Sequence, residues 1–417
     1  MSIETGFAPT QPRSIADTGL RKAFLRDLAL KTVYLGGELS LNDISIQISL
    51  DFGIVEELFQ SLRRDKLVEV KGLAGGNYRI AVSGLGKSRA MEALAQSCYC
   101  GPAPITLEAY TEVARRQTLK NFDVRPEDMK RVFEHYTASE ELLRQAGAAA
   151  VSGTSAFLYG PAGVGKTMLA NAMANIYSDF VWIPYCLEVD NQIITIYDAA
   201  IHNAVEQPEP LSYDGRWVLC QRPRVLTGGE LSADLLDLQF NPISKFYAAP
   251  LQLKANNGVL IIDDLGRQRI SPTELLNRWV VPLDRHIDFL TLMGGKSFKV
   301  PFDIFVIFST NLNPRELADE AFLRRIPNKI KLGHLSPEQF HEVFERECAA
   351  ARIAYKPTVV DHLIGVITSQ LKQNLRGCIP KDIIRLISWE AQYQGRTPTF
   401  TDVTAEKACR AYFLDTD

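Results

Sequence analysis

The sequence predicts an α/β fold, with a three-layer core around a parallel sheet and a smaller α+β domain in front of it. Three observations predict it. Residues 156–174 read as an apolar strand, the glycine-rich loop GPAGVGKT at 160–167, and then a helix. Two further runs, 258–262 and 304–308, are almost continuously apolar, as strands covered on both faces of a parallel sheet must be. Residues 20–98 instead alternate short helical patterns with one strand-turn-strand pattern, which suits a separate small domain.

The 417 residues suffice for two or three domains, each with its own core. Hydrophobic residues at 46% and charged residues at 23% match ordinary soluble proteins. Lysine and arginine total 46 against 49 acids, a net charge of −3, so bulk charge does not drive binding to nucleic acid. The first residues lack an apolar run behind a basic one, so no secretory signal is expected. The longest uncharged run, 146–165, is broken by glycines and Pro161, and no membrane insertion is expected. Seven scattered cysteines form no CxxC pair, and the six histidines are equally dispersed. Reduced thiols, a cytoplasmic location and no histidine or cysteine metal site follow.

Residues 1–19, rich in Pro, Thr, Ser and Gly, read as a flexible tail. Helical spacing runs from Leu20 to Gly36-Gly37, then over 41–48, and then over 52–65 with Val55, Leu58, Phe59 and Leu62 on one face. Alternation at 67–71 and 78–82 around a glycine-rich link predicts a hairpin, and a helix follows over 85–95. Residues 20–98 thus resemble the winged-helix fold, which often binds DNA. Residues 14–98 hold 11 basic and 10 acidic side chains, a net of +1. The start of the third helix offers Asp51, Glu56 and Glu57, which DNA phosphates would repel. Docking to a protein is therefore favoured over reading DNA. Residues 99–125 carry Gly101, Pro102 and Pro104 and read as a linker, and a helix is expected from Pro126 to about Gln145.

The chemistry concentrates at 160–168. Gly160, Pro161, Ala162, Gly163, Val164 and Gly165 form a loop whose N–H groups converge on phosphate oxygens at a helix N-terminus. Lys166 would reach the β- and γ-phosphates, the Thr167 hydroxyl would ligate Mg²⁺, and Met168 continues into the helix. The run 258–262 ends in Asp263, placed to steer the metal, and Asp264, placed as base for an attacking water. The run 304–308 leads to Asn311, whose amide can hold that water. Arg324 and Arg325 follow near a helix end, where a neighbouring subunit's γ-phosphate is a natural partner.

Together these residues resemble the AAA+ ATPase family over roughly residues 126–417. The resemblance implies a large ATPase subdomain at 126–333 and a C-terminal helical lid at 334–417. GPAGVGKT is similar to Walker A, VLIIDD to Walker B, and Asn311 to sensor 1. Arg325, or its neighbour Arg324, is similar to an arginine finger acting across a subunit interface. The stretch 376–383 is similar to the sensor 2 region, with Lys381 at the usual arginine. Asp264 stands where most members have glutamate and withdraws the carboxylate by one methylene.

Alternation around Gly294-Gly295 predicts a hairpin just ahead of 304–308. This is similar to the branch holding magnesium chelatases, MoxR-type ATPases and enhancer-binding activators. Another hairpin is expected around Asp190-Asn191, and 217–226 reads as extended. Phe240, Phe246 and Tyr247 are candidates for a partner-gripping loop, although core aromatics are the commoner outcome. The expectation is a homo-oligomeric, hexameric ring using ATP and Mg²⁺ to remodel or assemble an unidentified protein partner. A DNA-associated ATPase and a nucleotide-gated scaffold are the alternatives.

Overall fold

The computed structural model describes residues 7–74, 76–134, 136–205, 213–317 and 320–413. Five strands form the central sheet: β1 (Ser155–Tyr159), β2 (Arg224–Thr227), β3 (Val259–Ile262), β4 (Phe305–Thr310) and β5 (Asn328–Lys331). Their spatial order is β2-β3-β4-β1-β5, and every neighbouring pair is parallel. All five carboxyl ends therefore open on one edge, where an α/β sheet places its ligands.

The apolar runs are continuous because both sheet faces are covered. Ala156, Leu158, Ile261, Phe305 and Ile307 pack toward the helices Glu140–Ser152 and Lys166–Ala174. Phe157, Leu260, Ile262, Val306 and Phe308 pack the other way, with Leu275, Leu276 and Trp279 of the helix Pro272–Arg285. This is the expected α/β fold, with three layers around a parallel sheet.

Beside this sheet the chain builds a second body, mostly from residues inserted between the loop's helix and β3. The hairpin Cys186–Val189/Gln192–Thr195 forms around Asp190 and Asn191, both in the left-handed region that a tight two-residue turn demands. It joins Phe246–Ala248, Gln239–Asn241 and Ile105–Thr106 in another five-stranded sheet. Phe180–Pro184 pairs antiparallel with Trp217–Gln221 beside it. The hairpin expected ahead of β4 is Ile287–Thr291 with Ser297–Pro301. Its Leu290, Leu292, Phe298 and Val300 enter the same core as Trp182, Trp217 and Tyr247.

Two stretches differ from their sequence expectation. The segment expected as a linker carries the strand Ile105–Thr106 and the helix Leu107–Arg116, with Ile105, Tyr110, Val113 and Ala114 buried in the inserted core. Four apolar residues among many charges gave a weak periodic signal beside conspicuous prolines. Within residues 7–19, expected as a flexible tail, residues 7–11 lie against this body, while Ile15 packs on the N-terminal core. The Phe7 carbonyl accepts from Trp182 Nε1 at 2.9 Å, the Pro9 carbonyl accepts from the Asp214 N–H at 2.8 Å, and Arg116 stacks on the Phe7 ring. Residues 1–6 of that tail lie outside the described residues.

The N-terminal part holds helices Lys22–Gly36, Leu41–Ile48, Phe52–Arg64 and Gly84–Gln96 around a sheet of Glu38–Ser40, Asn77–Val82 and Val68–Ala74. Ser40 and Asp43 form a capping box at the second helix, and Asp51 caps the third. At the other end, helices Pro337–Ala350, Pro357–Gly365, Ile379–Tyr393 and Asp402–Phe413 enclose Phe340, Phe344, Ile383, Ile387 and Phe400. Among the described residues, no helix is long and apolar enough to cross a membrane.

Candidate functional site

The glycine loop runs from the tip of β1 into the helix Lys166–Ala174. Two of its glycines are sterically required. A Cβ on Gly160 would stand 2.1 Å from the Leu332 carbonyl oxygen, and one on Gly163 would stand 2.6 Å from Cys378 Sγ. Both also hold positive φ, 148° and 78°. The loop is pinned from outside as well. The Gly163 carbonyl accepts from the Cys378 N–H at 3.0 Å, and Tyr136 donates its hydroxyl to the Gly165 carbonyl at 3.3 Å.

Lys166 curls back over the loop, its ammonium donating to the carbonyls of Gly160 at 3.0 Å and Pro161 at 2.8 Å. Burial pushes its pKa below the usual lysine value, while Asp264 and then Asp263 pull it back up. Thr167 donates its hydroxyl to Asp263 Oδ2 at 2.8 Å. The other carboxylate oxygen, Asp263 Oδ1, is buried and accepts no hydrogen bond. An orphaned anionic oxygen next to a hydroxyl fits a hard, oxygen-loving cation such as Mg²⁺.

Asp264 follows with φ 51°. Its loop is clamped: Gln268 Nε2 donates to the carbonyls of Asp263 and Asp264, and the Leu265 N–H donates to the Ser309 carbonyl at 2.7 Å. Thr310 Oγ1 donates to the Leu265 carbonyl at 2.8 Å, so the segments beyond β3 and β4 are tied together. Asn311 sits immediately beyond.

These groups surround a cavity of about 450 Å³, within the range of small-molecule ligand sites. Residues 162–168, Asp264, Asn311 and Lys381 all line it. Gly160 and Pro161 serve it indirectly, by holding Lys166, and Asp263 by holding Thr167. Arg324 and Arg325 stand elsewhere. Arg324 is exposed on a separate cavity of about 810 Å³ that also includes Arg315 and Lys329. Arg325 is half-buried, with its Nε fully enclosed and its carbonyl accepting from Ser155 Oγ. The sequence had not separated the two.

The cavity has walls that sequence reasoning missed. The helix expected over 126–145 is in fact two, Pro126–Phe133 and Glu140–Ser152, the second capped by Ser139. The break delivers Tyr136 and Thr137 to the cavity. Arg346 of the C-terminal bundle donates to Thr137 Oγ1 at 3.1 Å across it, and Arg267 lines it from the loop after β3. Only the Ser139-Glu140-Glu141 cap signal hinted at the break. Phe240, Phe246 and Tyr247 take the commoner option. Tyr247 is buried in the inserted core with Phe240 against it, and Phe246 packs edge-on to Tyr99.

Comparison with known proteins adds little to this geometry. A family profile described as a domain of unknown function (DUF8689) matches residues 336–411, which is the C-terminal helical bundle. No curated protein matches the chain. A RuvB variant from Thermotoga maritima is similar at 12% identity and TM-score 0.39, over 72% of this chain and 74% of its own. The RuvB Holliday junction branch migration motor of Thermotoga maritima aligns at 14% identity and TM-score 0.36, over 72% and 73%. NtrX from Brucella abortus aligns at 11% identity and TM-score 0.39, over 84% of this chain and 60% of its own.

Proposed function

We propose that this protein is a ring-forming AAA+ ATPase that binds ATP with Mg²⁺ and hydrolyses it to remodel or assemble a protein partner in the cytoplasm. The observation that carries the reading is the contact of Thr167 with Asp263, which leaves Asp263 Oδ1 buried and unsatisfied beside the phosphate loop. Bound Mg²⁺ would neutralise charge on the β- and γ-phosphates there. Lys166 would exchange the carbonyls of Gly160 and Pro161 for phosphate oxygens, and loop N–H groups would hold the rest. Asp264 would accept a proton from a water held by Asn311, and Lys381 would meet the nucleotide from the lid.

The strand order supports the same reading, since β1 lies between β4 and β5 and the loop opens at the carboxyl edge. Exposure favours Arg324 over Arg325 as the residue offered to a neighbouring subunit in a ring of six. Residues 20–98 have the helix and hairpin order of a winged helix. The face of their third helix favours a protein partner over DNA, since Glu56 is exposed and Glu57 pairs with Lys22.

ATP titration and steady-state phosphate release test the reading. Lys166→Ala should lose binding, and Asp264→Asn should keep binding while turnover falls about 100-fold or more. Undiminished turnover in Asp264→Asn would refute the assigned base. Tight duplex DNA binding with a steep salt slope would replace the protein-partner reading by the DNA-associated one.

A further inference from the structure

Between the helix Leu107–Arg116 and the foot of the hairpin ahead of β4 lies a second cavity, of about 370 Å³. Ala114, Ile287, Val300 and Pro301 give it an apolar wall. Arg115, Lys120 and Lys299 supply cationic nitrogen donors and His286 adds a ring nitrogen beside Lys120, from four different pieces of chain. These are the helix, the turn after it, the residue that ends the helix Pro272–Arg285, and the hairpin's second strand. Convergence from four elements is not what a simple solvated helix face produces.

Two of the carboxylates nearby are occupied. Asp303 lines the cavity but accepts from Thr118 Oγ1 at 2.9 Å, the Leu119 N–H at 3.3 Å and Asn257 Nδ2 at 2.7 Å. Glu112 pairs with Arg115 at 3.1 Å and Arg116 at 2.8 Å. Among the described residues, Lys120 and Lys299 have no carboxylate partner. Lys120 Nζ stands instead 3.5 Å from His286 Nε2, and Lys299 Nζ lies 5.8 Å from the Phe289 ring centre. Cationic groups gathered in one pocket repel each other, and an anion among them turns that repulsion into binding.

We propose that this cavity binds a small phosphorylated ligand, with Lys120 and Lys299 holding the phosphate and the Ala114, Ile287, Val300 and Pro301 wall holding an apolar body. The site is independent of the nucleotide reading. Asn257 and Asp303 lead into the amino ends of β3 and β4, whereas the 160–167 loop lies at the carboxyl ends. Phosphate enters as a charge-assisted acceptor, and the apolar wall selects against the bare ion.

The test is calorimetric titration of the full chain with phenyl phosphate and with inorganic phosphate. Phenyl phosphate should bind the tighter of the two. Lys120→Gln/Lys299→Gln should weaken it tenfold or more without moving the melting temperature, since both side chains are exposed. Lys166→Ala should leave it unchanged, which separates this site from the phosphate loop. Equal binding of phenyl phosphate by wild type and the double variant overturns the proposal. So does displacement of phenyl phosphate by a single-stranded oligonucleotide with a steep salt dependence, which would make the patch a nucleic-acid surface.

Discussion

At the residue scale, Asp263 has two oxygens in different situations. Oδ2 accepts the Thr167 hydroxyl, and Oδ1 is enclosed without a donor. A buried carboxylate oxygen left alone costs on the order of 1–3 kcal/mol, so it persists where a ligand satisfies it. Asp263→Asn removes the charge and keeps the shape. ATP affinity measured with Mg²⁺ should then fall about tenfold or more, toward the value measured in chelator, where wild type and variant converge. An unchanged Mg²⁺ dependence would take the metal away from Asp263. Residues 160–168, 263 and 264 were legible in the sequence because each motif is local: a strand, a turn, and the residues at its tip. Tyr136, Thr137, Arg267 and Arg346 were not, since a helix break and the C-terminal bundle bring them together only on folding. Whether Arg324 or Arg325 is exposed depends likewise on which side of a short helix packs inward, and two adjacent arginines carry no such signal.

At the element scale, the hairpin ahead of β4 is held from both sides. Its Leu290, Leu292, Phe298 and Val300 belong to the inserted core, and Asp288 is buried at its base. Asp288 accepts from Arg278 at 2.6 Å and from Gln252 at 3.0 Å, tying the hairpin to the helix Pro272–Arg285. Arg278 keeps some exposure, so losing Asp288 strands it only partly. Asp288→Ala should cost about 2–4 kcal/mol in denaturant unfolding, less than removal from a fully buried pair. Arg278→Ala should cost at least as much, because it leaves the carboxylate buried without its cation. The hairpin itself was visible as alternation around Gly294-Gly295, and so was the one at Asp190-Asn191. Their pairing into one body was not, because strands such as Ile105–Thr106 and Phe246–Ala248 are too short to show a period. The same core hid the helix Leu107–Arg116, whose burial depends on partners distant in the chain.

At the scale of the whole molecule, the cavity at the 160–167 loop and the two arginines do not meet within one chain. The cavity is lined by the 160–167 loop, residues just beyond β3 and β4 and the C-terminal bundle, while Arg324 is exposed beside Arg315. A finger placed so would serve a neighbouring copy, and a closed ring gives every copy such a neighbour. Subunit mixing tests this directly. Arg324→Ala has an intact site of its own but offers no finger, and should lose turnover about 1,000-fold. Asp264→Asn offers the finger but cannot activate water. Mixed in equal amounts and reassembled at random, the two inactive chains should recover about a quarter of wild-type turnover, because a competent site needs one of each kind in the right order. A finger acting on its own chain predicts no recovery, since each variant would stay inactive in any company. The same mixture built with Arg325→Ala should start from near-normal turnover, because that side chain is half-buried against its own subunit. Recovery with Arg325→Ala but not with Arg324→Ala would transfer the role to the inner arginine and require its helix to turn in the assembled ring.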